Sequence, residues 1–461
     1  MEELSVQDIT SAVEGKLLQG DPSCCVRGVS TDTRSLERGD LFFALKGEHA
    51  DGHRYVDAAI KAGAAGVVVS DRKRVAGSRG AAVIAVEDPL WALGELARYY
   101  RGTFDIPVVG VTGSVGKTTT KEMLASILGQ RWKVLKNAAN FNNEIGVPLT
   151  LFQLDRSRQV VVLEMAMRGL GEIRRLASIA RPSVGVITNV GISHIERLGS
   201  QGAIADAKAE LLSELPPDGL AVLNAEDGYC TVMRDRFGGR VISFGSCKGA
   251  DVIGERIRCS KLGRYRFAVS TKEGVIEVKM PVLGYHNVYN ALAAAAAAVG
   301  MGVELGDIRS GLEEFSPPSM RMQLMRYKAG YAVLDDTYNA SPASMFAALK
   351  TLQALTGYER KIAVLGDMLE LGDYAAKAHR DVGSAVVANE IEMLVTVGAL
   401  GEEIAQGARN AGLPVDSIQS YADCVEAGGK LRSQVGRGDV ILVKGSRAMK
   451  MEEIVRVLLS D

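Results

Sequence analysis

The chain has 461 residues, too many for one hydrophobic core, so two or three domains are expected. With 54 Lys and Arg against 55 Asp and Glu, a net charge of −1 excludes a general nucleic-acid or membrane-surface binder as the first reading. The N-terminus, Met1-Glu2-Glu3-Leu4, lacks the basic start and apolar run of a signal peptide, and the six cysteines show no CxxC spacing, so a cytoplasmic protein without membrane insertion is expected.

Residues 1–86 form a first block of short strands and one helix. Asp40 to Leu45 and Gly66 to Val69 read as strands, and Tyr55 to Ala62 as a helix. The block suits a small α/β unit.

The second block, residues 87–316, opens with a helical stretch from Leu90 to Arg101. The most informative run of the chain follows, Val108-Val109-Gly110-Val111-Thr112-Gly113-Ser114-Val115-Gly116-Lys117-Thr118-Thr119-Thr120. A β-branched strand, a glycine turn, a lysine, a hydroxyl and then a helix from Lys121 to Leu128 is the layout of a phosphate-wrapping loop. Gly113 and Gly116 let backbone N–H groups turn inward, and the helix aims its positive end at the same place. Lys117 would reach the β- and γ-phosphates of a nucleotide, and the Thr118 hydroxyl would ligate Mg²⁺. The full pattern asks for a glycine where Val111 stands, so an ordinary glycine-rich strand–helix turn is the competing reading.

Val160 to Leu163, Val184 to Ile187 and Leu220 to Leu223 are continuous apolar runs, as strands buried on both faces of a parallel sheet require. Ligands gather at the C-terminal ends of such strands. Glu164, directly after one of them, is either a metal ligand or a solvent-facing carboxylate. His194, on the loop after the next, is either a ligand or a structural histidine. On the helical stretch Ala203 to Leu212, Lys208 shares a face with Ile204, Leu211, Leu212 and Leu215. Such a lysine either snorkels to water or is buried as a neutral amine, which carbon dioxide can convert to an anionic carbamate suited to Mg²⁺. Asn287 and Asn290, three residues apart, either read an adenine edge together or serve the helix, Asn287 as its cap. The alanine run from Ala291 to Val299 is too short for the roughly 20 residues that span a bilayer and reads as a tightly packed helix.

The third block, residues 317–461, begins at Pro317-Pro318. Ala332 to Leu334, Ile362 to Leu365, Leu394 to Val397 and Val440 to Val443 alternate with helical segments, which predicts a second doubly wound sheet. Arg321, just past the hinge, would close on a γ-phosphate or sit solvated. Asp335-Asp336-Thr337-Tyr338-Asn339-Ala340-Ser341-Pro342 ends one strand, and Lys444-Gly445-Ser446-Arg447 ends the last, where two cations would suit a substrate carboxylate.

These blocks together resemble the Mur ligases of cell-wall synthesis over essentially the whole chain. The resemblance rests on the loop Thr112 to Thr119, whose family counterpart also lacks the first glycine, on Asn142-Asn143-Glu144-Ile145-Gly146-Val147-Pro148-Leu149, Glu164-Met165, the His194 loop, Ala207-Lys208, and Gly284 to Asn290. Asp335 to Pro342, Gly366-Asp367-Met368-Leu369-Glu370-Leu371-Gly372, and Val443 to Arg447 with Met451-Glu452 look like the branch that adds D-alanyl-D-alanine. Ala166 and Ser341 depart from the family's usual glycine and asparagine.

The resemblance implies an α/β chain of three domains: a small N-terminal one holding the UDP-sugar, a central phosphate-loop domain with a parallel sheet, and a Rossmann-like C-terminal domain that binds the incoming dipeptide and closes on ATP. It implies an ATP- and Mg²⁺-dependent amide ligase acting through an acyl phosphate, with UDP-N-acetylmuramoyl-tripeptide and D-alanyl-D-alanine as substrates, working as a monomer. By carry-over, Gly113, Ser114, Gly116, Lys117, Thr118, Thr119, Asn287, Asn290, Arg321 and Asp336 hold ATP. Thr118, Glu164, His194 and a carbamylated Lys208 hold metal. Ser30, Thr31, Arg34, Lys46, Asp51, His53, Asn142, Asn143, Tyr338, Asn339, Lys444, Ser446 and Arg447 face substrate. The alternatives are a sister ligase that adds a single amino acid, the folylpolyglutamate synthase type included, and a nucleotide-operated switch. A GTPase switch would want an Asn-Lys-x-Asp motif, and the chain has no Asn-Lys pair.

Overall fold

Runs of buried Val, Ile, Leu and Ala pair into three main sheets in a computed structural model that describes residues 1–47, 50–71, 80–138 and 140–460. The first sheet has five strands in the order Lys16–Gln19, Ala82–Ala85, Gly66–Val69, Asp40–Phe43, Gly28–Ser30. All neighbours are parallel except at the Lys16–Gln19 edge. The predicted helix at Tyr55 is in fact a short 3₁₀ turn, Gly52–Tyr55, followed by the helix Val56–Lys61.

The second sheet has nine strands. Val108–Thr112 lies between Val160–Glu164 on one side and Val184–Ile187 on the other, all parallel. From that strand the chain goes to the edge strand Val134–Lys136, returns through Val160–Glu164 and crosses to Val184–Ile187 on the other side, so the loop after Thr112 leaves the sheet where its winding reverses, the position at which open α/β sheets bind ligands. The register sets Glu164 beside Val111 and Ile187 beside Thr112. Glu164 and the loop carrying His194 therefore flank the glycine turn because of strand pairing alone.

The sheet is not parallel throughout, as the sequence reading had it. Val252–Cys259 joins it parallel to Arg240–Gly245, and Arg264–Thr271 and Gly274–Leu283 then extend it antiparallel, with irregular register near Glu255/Arg258 and Arg264/Arg266. The predicted alanine-rich helix, His286–Gly300, packs against the helix Lys117–Leu128, and Ala291 through Ala298 are all fully buried. Small side chains let the helix sit inside the fold with apolar neighbours all round.

The third sheet runs Gln323–Arg326, Ala332–Asp335, Asp439–Lys444, Arg360–Gly366, Met393–Val397, Ile418–Tyr421 and is parallel apart from its first strand. Asp336, Asp367 and Ser446 follow the C-terminal ends of its three central strands. Among the described residues no helix is long and apolar enough to cross a membrane, and all six cysteines are free thiols.

Candidate active site

The C-terminal edges of the second and third sheets line one cleft of about 950 Å³. Ser114 to Thr119, Glu164 and His194 line it from one side, and Arg321, Asp336, Tyr338, Lys444 and Ser446 from the other.

The helix of the phosphate loop begins at Lys117, four residues earlier than its sequence suggested. Gly116 caps it with φ +86°, and Gly113 has φ +146°. A Cβ on Gly116 would stand 2.2 Å from Asn290 Oδ1, and one on Gly113 would stand 1.9 Å from Thr188 Oγ1. Both positions require glycine for conformation and for space. We expect Gly116→Ala to lower stability by about 1–3 kcal/mol and to abolish tight ADP binding, because the displaced loop no longer presents its N–H groups together. Denaturant midpoints and calorimetric ADP titration check the two effects separately.

Asn189 holds the loop's shape. It accepts from Ser114 N–H through its carbonyl (3.0 Å) and from Val115 N–H through Oδ1 (3.1 Å), and its amide donates to the Val115 carbonyl (3.0 Å). The first N–H groups of the helix have no partner within it and remain for an anion. Lys117 Nζ lies back on the loop, donating to the carbonyls of Gly113 (2.9 Å) and Ser114 (3.4 Å). Burial lowers its pKa; nearby Glu164 opposes that shift, and Arg321 adds to it. A phosphate in the loop would supply the counter-charge that two carbonyls only partly provide.

Glu164 is 3% exposed, which removes the solvent-facing reading. Its Oε2 accepts from the Thr118 hydroxyl at 2.7 Å and its Oε1 from Asn142 Nδ2 at 2.8 Å. Asn137 brackets its backbone, accepting from Glu164 N–H (2.9 Å) and donating to the Glu164 carbonyl (3.0 Å). The fully buried Lys121 donates to the Asn137 carbonyl. Thr118 and Glu164 thus present hard oxygen donors side by side on the cleft wall, a set that suits Mg²⁺. Among the described residues no three His, Cys, Asp or Glu side chains converge on one point. An ion held here would complete its shell with substrate oxygens and water, as Mg²⁺ ordinarily does.

His194 sits at φ +66° and hydrogen-bonds through Nδ1 to Glu370 Oε2 (2.5 Å), a residue of the third sheet's unit. Burial pulls its pKa below the usual value; Glu370 opposes this, and the cations Lys117 and Lys208 add to it. Lys208 is 2% exposed and does not snorkel. Burial, reinforced by Lys117, puts the pKa of the Lys208 amine well below that of an ordinary lysine. Lys208 is not among the residues that line the cleft.

Asn287 does not cap its helix, whose first residue is His286 and whose N-cap, Tyr285, makes no side-chain bond. It donates instead to the Leu283 carbonyl (2.6 Å) and accepts from Asn290 Nδ2 (2.8 Å), so the two amides are joined edge to edge on the cleft wall. His286 Nδ1 and Arg321 Nε are buried there without a hydrogen-bond partner among the described residues. Burial drives the His286 pKa down to about 4, so this imidazole is neutral.

Across the cleft, Arg321 Nη2 donates to Thr118 Oγ1 at 3.0 Å, and its guanidinium lies 4.1 Å from the Tyr338 ring centre. The solvated-hinge reading of Arg321 therefore falls. The two cations of the last turn are not free. Lys444 donates to Asp336 Oδ2 (2.5 Å) and to the Asn339 carbonyl (2.9 Å), and Arg447 is bidentate to Glu452 (2.7 and 3.0 Å). Ser446 Oγ accepts from Leu369 N–H at 2.9 Å, and Asn339 Oδ1 from Ala340 N–H at 2.9 Å. Asn143 Oδ1 accepts from the N–H groups of Ile145 and Gly146, a local turn and not a free amide.

The six N-terminal residues, Ser30, Thr31, Arg34, Lys46, Asp51 and His53, are not among those that line this cleft. Arg34 is paired with Asp32, and Lys46 and Asp51 form an isolated bridge. His53 is 6% exposed, with Nδ1 on Asp51 (2.8 Å) and Nε2 accepting from Ser70 N–H (3.0 Å), so both ring nitrogens serve the fold. Asn137, Asn189 and Glu370 were not singled out as site residues from sequence. Only the position of Asn189, just past a buried strand, hinted at its use.

A glycine-cradled phosphate loop at a sheet's switch point, faced by a second α/β unit that reaches its threonine with an arginine, defines a nucleotide-dependent enzyme that works between two units. Comparison with known proteins agrees and narrows this class. Residues 111–298 match the Mur ligase middle domain, 320–447 the Mur ligase glutamate ligase domain, and 26–101 the Mur ligase family catalytic domain. The chain is 38% identical over 458 residues to the UDP-N-acetylmuramoyl-tripeptide–D-alanyl-D-alanine ligase of Bacillus subtilis, covering 99% of this chain and 98% of that protein. The crystal structure of MurF from Acinetobacter baumannii superposes with a TM-score of 0.92 at 32% identity, covering 100% of both chains. MurF ligase from Thermotoga maritima in complex with ADP gives 0.83 at 28% identity, covering 94% of this chain and 97% of that one. The chain belongs to the Mur ligase family.

Proposed function

We propose that this enzyme joins D-alanyl-D-alanine to UDP-N-acetylmuramoyl-tripeptide at the expense of ATP, in the cytoplasm and as a monomer. The observation that carries the reading is the single cleft in which the Lys117 loop of one sheet faces Arg321 and the Lys444–Arg447 turn of the other, in a chain so similar over its full length to proteins of that name. We assign residues 1–86 to the UDP-sugar, 87–316 to ATP, and 317–461 to the dipeptide and to closure over the nucleotide.

In the reaction a carboxylate oxygen of the tripeptide attacks the γ-phosphorus, and the bond to the β-phosphate oxygen breaks, giving an acyl phosphate and ADP. The dipeptide's amine, having shed a proton from its ammonium form, then attacks the acyl carbon; the bond from that carbon to the phosphate oxygen breaks, and the nitrogen's second proton departs with the phosphate. No side-chain nucleophile is needed. Lys117 leaves its two loop carbonyls for the phosphates. Arg321 gives up Thr118 and turns its guanidinium toward the transferring group. Positioning and charge neutralisation carry most of the rate. Mg²⁺, when bound, neutralises phosphate and carboxylate charge and orients the oxygens. Thr118 would hold one ion, and Glu164, His194 and Lys208 as its carbamate would hold a second. Lys208 supports the carbamate reading because burial disfavours its charged form, and the neutral amine is the form with which carbon dioxide reacts. The joined amides of Asn287 and Asn290 would meet the adenine edge, and Asp336 would act through Lys444. The seam between the units must shut out water, since an acyl phosphate hydrolyses readily.

Phosphate release tests the reading directly. ADP and phosphate should appear only when UDP-muramoyl-tripeptide and D-alanyl-D-alanine are both present with ATP and Mg²⁺. Faster release with a free amino acid than with the dipeptide would overturn the branch assignment. Slow hydrolysis with neither substrate would indicate a switch.

A further inference from the structure

Two non-glycine residues with left-handed backbone face each other across the seam between the second and third sheets. His194 has φ +66° and Glu370 has φ +62°. Each conformation costs free energy that surrounding contacts must offset, and such residues concentrate at working sites. Their side chains meet, His194 Nδ1 to Glu370 Oε2 at 2.5 Å, although 176 residues separate them in sequence. The contact is not isolated. Gly372, two residues on, packs against Glu196, where an added Cβ would stand 3.3 Å from that side chain. The short turn Gly372–Tyr374 likewise touches the helix Ile195–Leu198. Glu370 keeps enough exposure, 38% of its side chain, that its removal should not unfold the protein.

A carboxylate can only accept, so the proton of the neutral imidazole sits on Nδ1, and Nε2 keeps its lone pair. His194 lines the cleft together with Thr118 and Glu164. A histidine that binds a metal through one nitrogen ordinarily donates its other N–H to a carboxylate or carbonyl, which fixes the tautomer and the ring plane. Here the central unit does not supply that partner. It comes from the unit that must close over the nucleotide.

We infer that Glu370 is a positioning residue for His194, so that docking of the C-terminal unit, and not the central sheet alone, completes the second metal site. The inference rests on the reading of His194 as a ligand given above. It makes the metal site sensitive to domain closure. Carboxylate activation would then be delayed until the unit that carries the dipeptide has arrived, which protects the acyl phosphate from forming too early.

The test is Mn²⁺ binding to the full-length protein with a non-hydrolysable ATP analogue, followed by electron paramagnetic resonance of the free ion. Wild type should show two sites. Glu370→Ala should weaken one of them on the order of 10-fold and leave the other unchanged, the size typical of losing the partner of a metal-bound histidine. Glu370→Gln, whose amide oxygen can still accept from Nδ1–H, should recover most of that loss. In a His194→Ala background Glu370→Ala should add nothing. Unchanged affinities in Glu370→Ala, equal weakening of both sites, or a full effect in the His194→Ala background would each overturn the inference while leaving the proposed reaction standing. Absence of a second Mn²⁺ site in wild type would remove the ligand reading of His194 and the inference with it.

Discussion

Lys117→Ala should lower ligation by about three orders of magnitude, at the upper end of what removing one preorganised charge-stabilising donor costs. Lys117 is the cation that the loop itself supplies, and it is held on the carbonyls of Gly113 and Ser114. Those two bonds are weak substitutes for phosphate oxygens. The ammonium is disfavoured by burial and eased only by Glu164, so it is poised to move to a nearby anion. Alanine removes the charge without altering the glycines that shape the turn. The variant should therefore fold with an unchanged circular dichroism spectrum and bind UDP-muramoyl-tripeptide normally. ADP affinity should fall, and turnover measured as phosphate release at saturating ATP should fall much further, because the lost contact strengthens as charge moves to the leaving group. A variant that makes the peptide bond at the wild-type rate would show that the loop does not carry the reaction.

What sequence shows of this site depends on how the chain builds it. The phosphate loop was legible because its glycines, lysine and threonine are contiguous and each has a distinct physical task. Its helix was placed too late, at Lys121, because Thr118, Thr119 and Thr120 are poor helix formers taken alone. In the structure all three are buried, and packing overrides propensity. Glu164 and His194 were legible as positions because buried strands have fixed C-terminal ends. Their partners were not. Asn137 and Asn189 act by binding backbone, which leaves no periodic trace, and Glu370 reaches His194 from another sheet. Lys444 and Arg447 look like free cations in sequence because Asp336, which holds the first, stands 108 residues away, and Glu452 reads as an ordinary helix-start acid. The antiparallel strands from Val252 to Leu283 were missed because bulges break their alternation and their outer face is polar. Lys208 was ambiguous for a different reason. Spacing puts it on an apolar stripe, but only the packed structure decides between snorkelling and burial.

Arg321→Ala should lower kcat by roughly 10²- to 10³-fold, the range for removing one preorganised cation from a transition state, while the Kd for UDP-muramoyl-tripeptide changes little. The backbone supports so specific a role. Met320 and Met322, on either side of Arg321, have φ of +63° and +50°, both left-handed. Such a stretch persists only when its surroundings dictate it. Here Met322 N–H donates to Asp336 Oδ1 (3.2 Å), Tyr338 N–H donates to the Met320 carbonyl (3.2 Å), and Asp336 is itself fixed by Lys444. The guanidinium is thus carried on a braced turn, lies against Tyr338, and bonds to Thr118 of the opposite unit. Its Nε is buried without a partner among the described residues, a cost that a phosphate oxygen arriving in the cleft would remove. None of these contacts reaches the N-terminal sheet, the proposed seat of the UDP-sugar, so on that assignment ground-state binding of the UDP-sugar should not depend on them. Arg321→Lys keeps the charge but loses the planar fork and the stacking surface, and should recover only part of the rate. Pre-steady-state phosphate release should locate the loss in the chemical step. Equal losses in kcat and in UDP-substrate affinity would instead mean that Arg321 holds the units together and does not act on the transferring group.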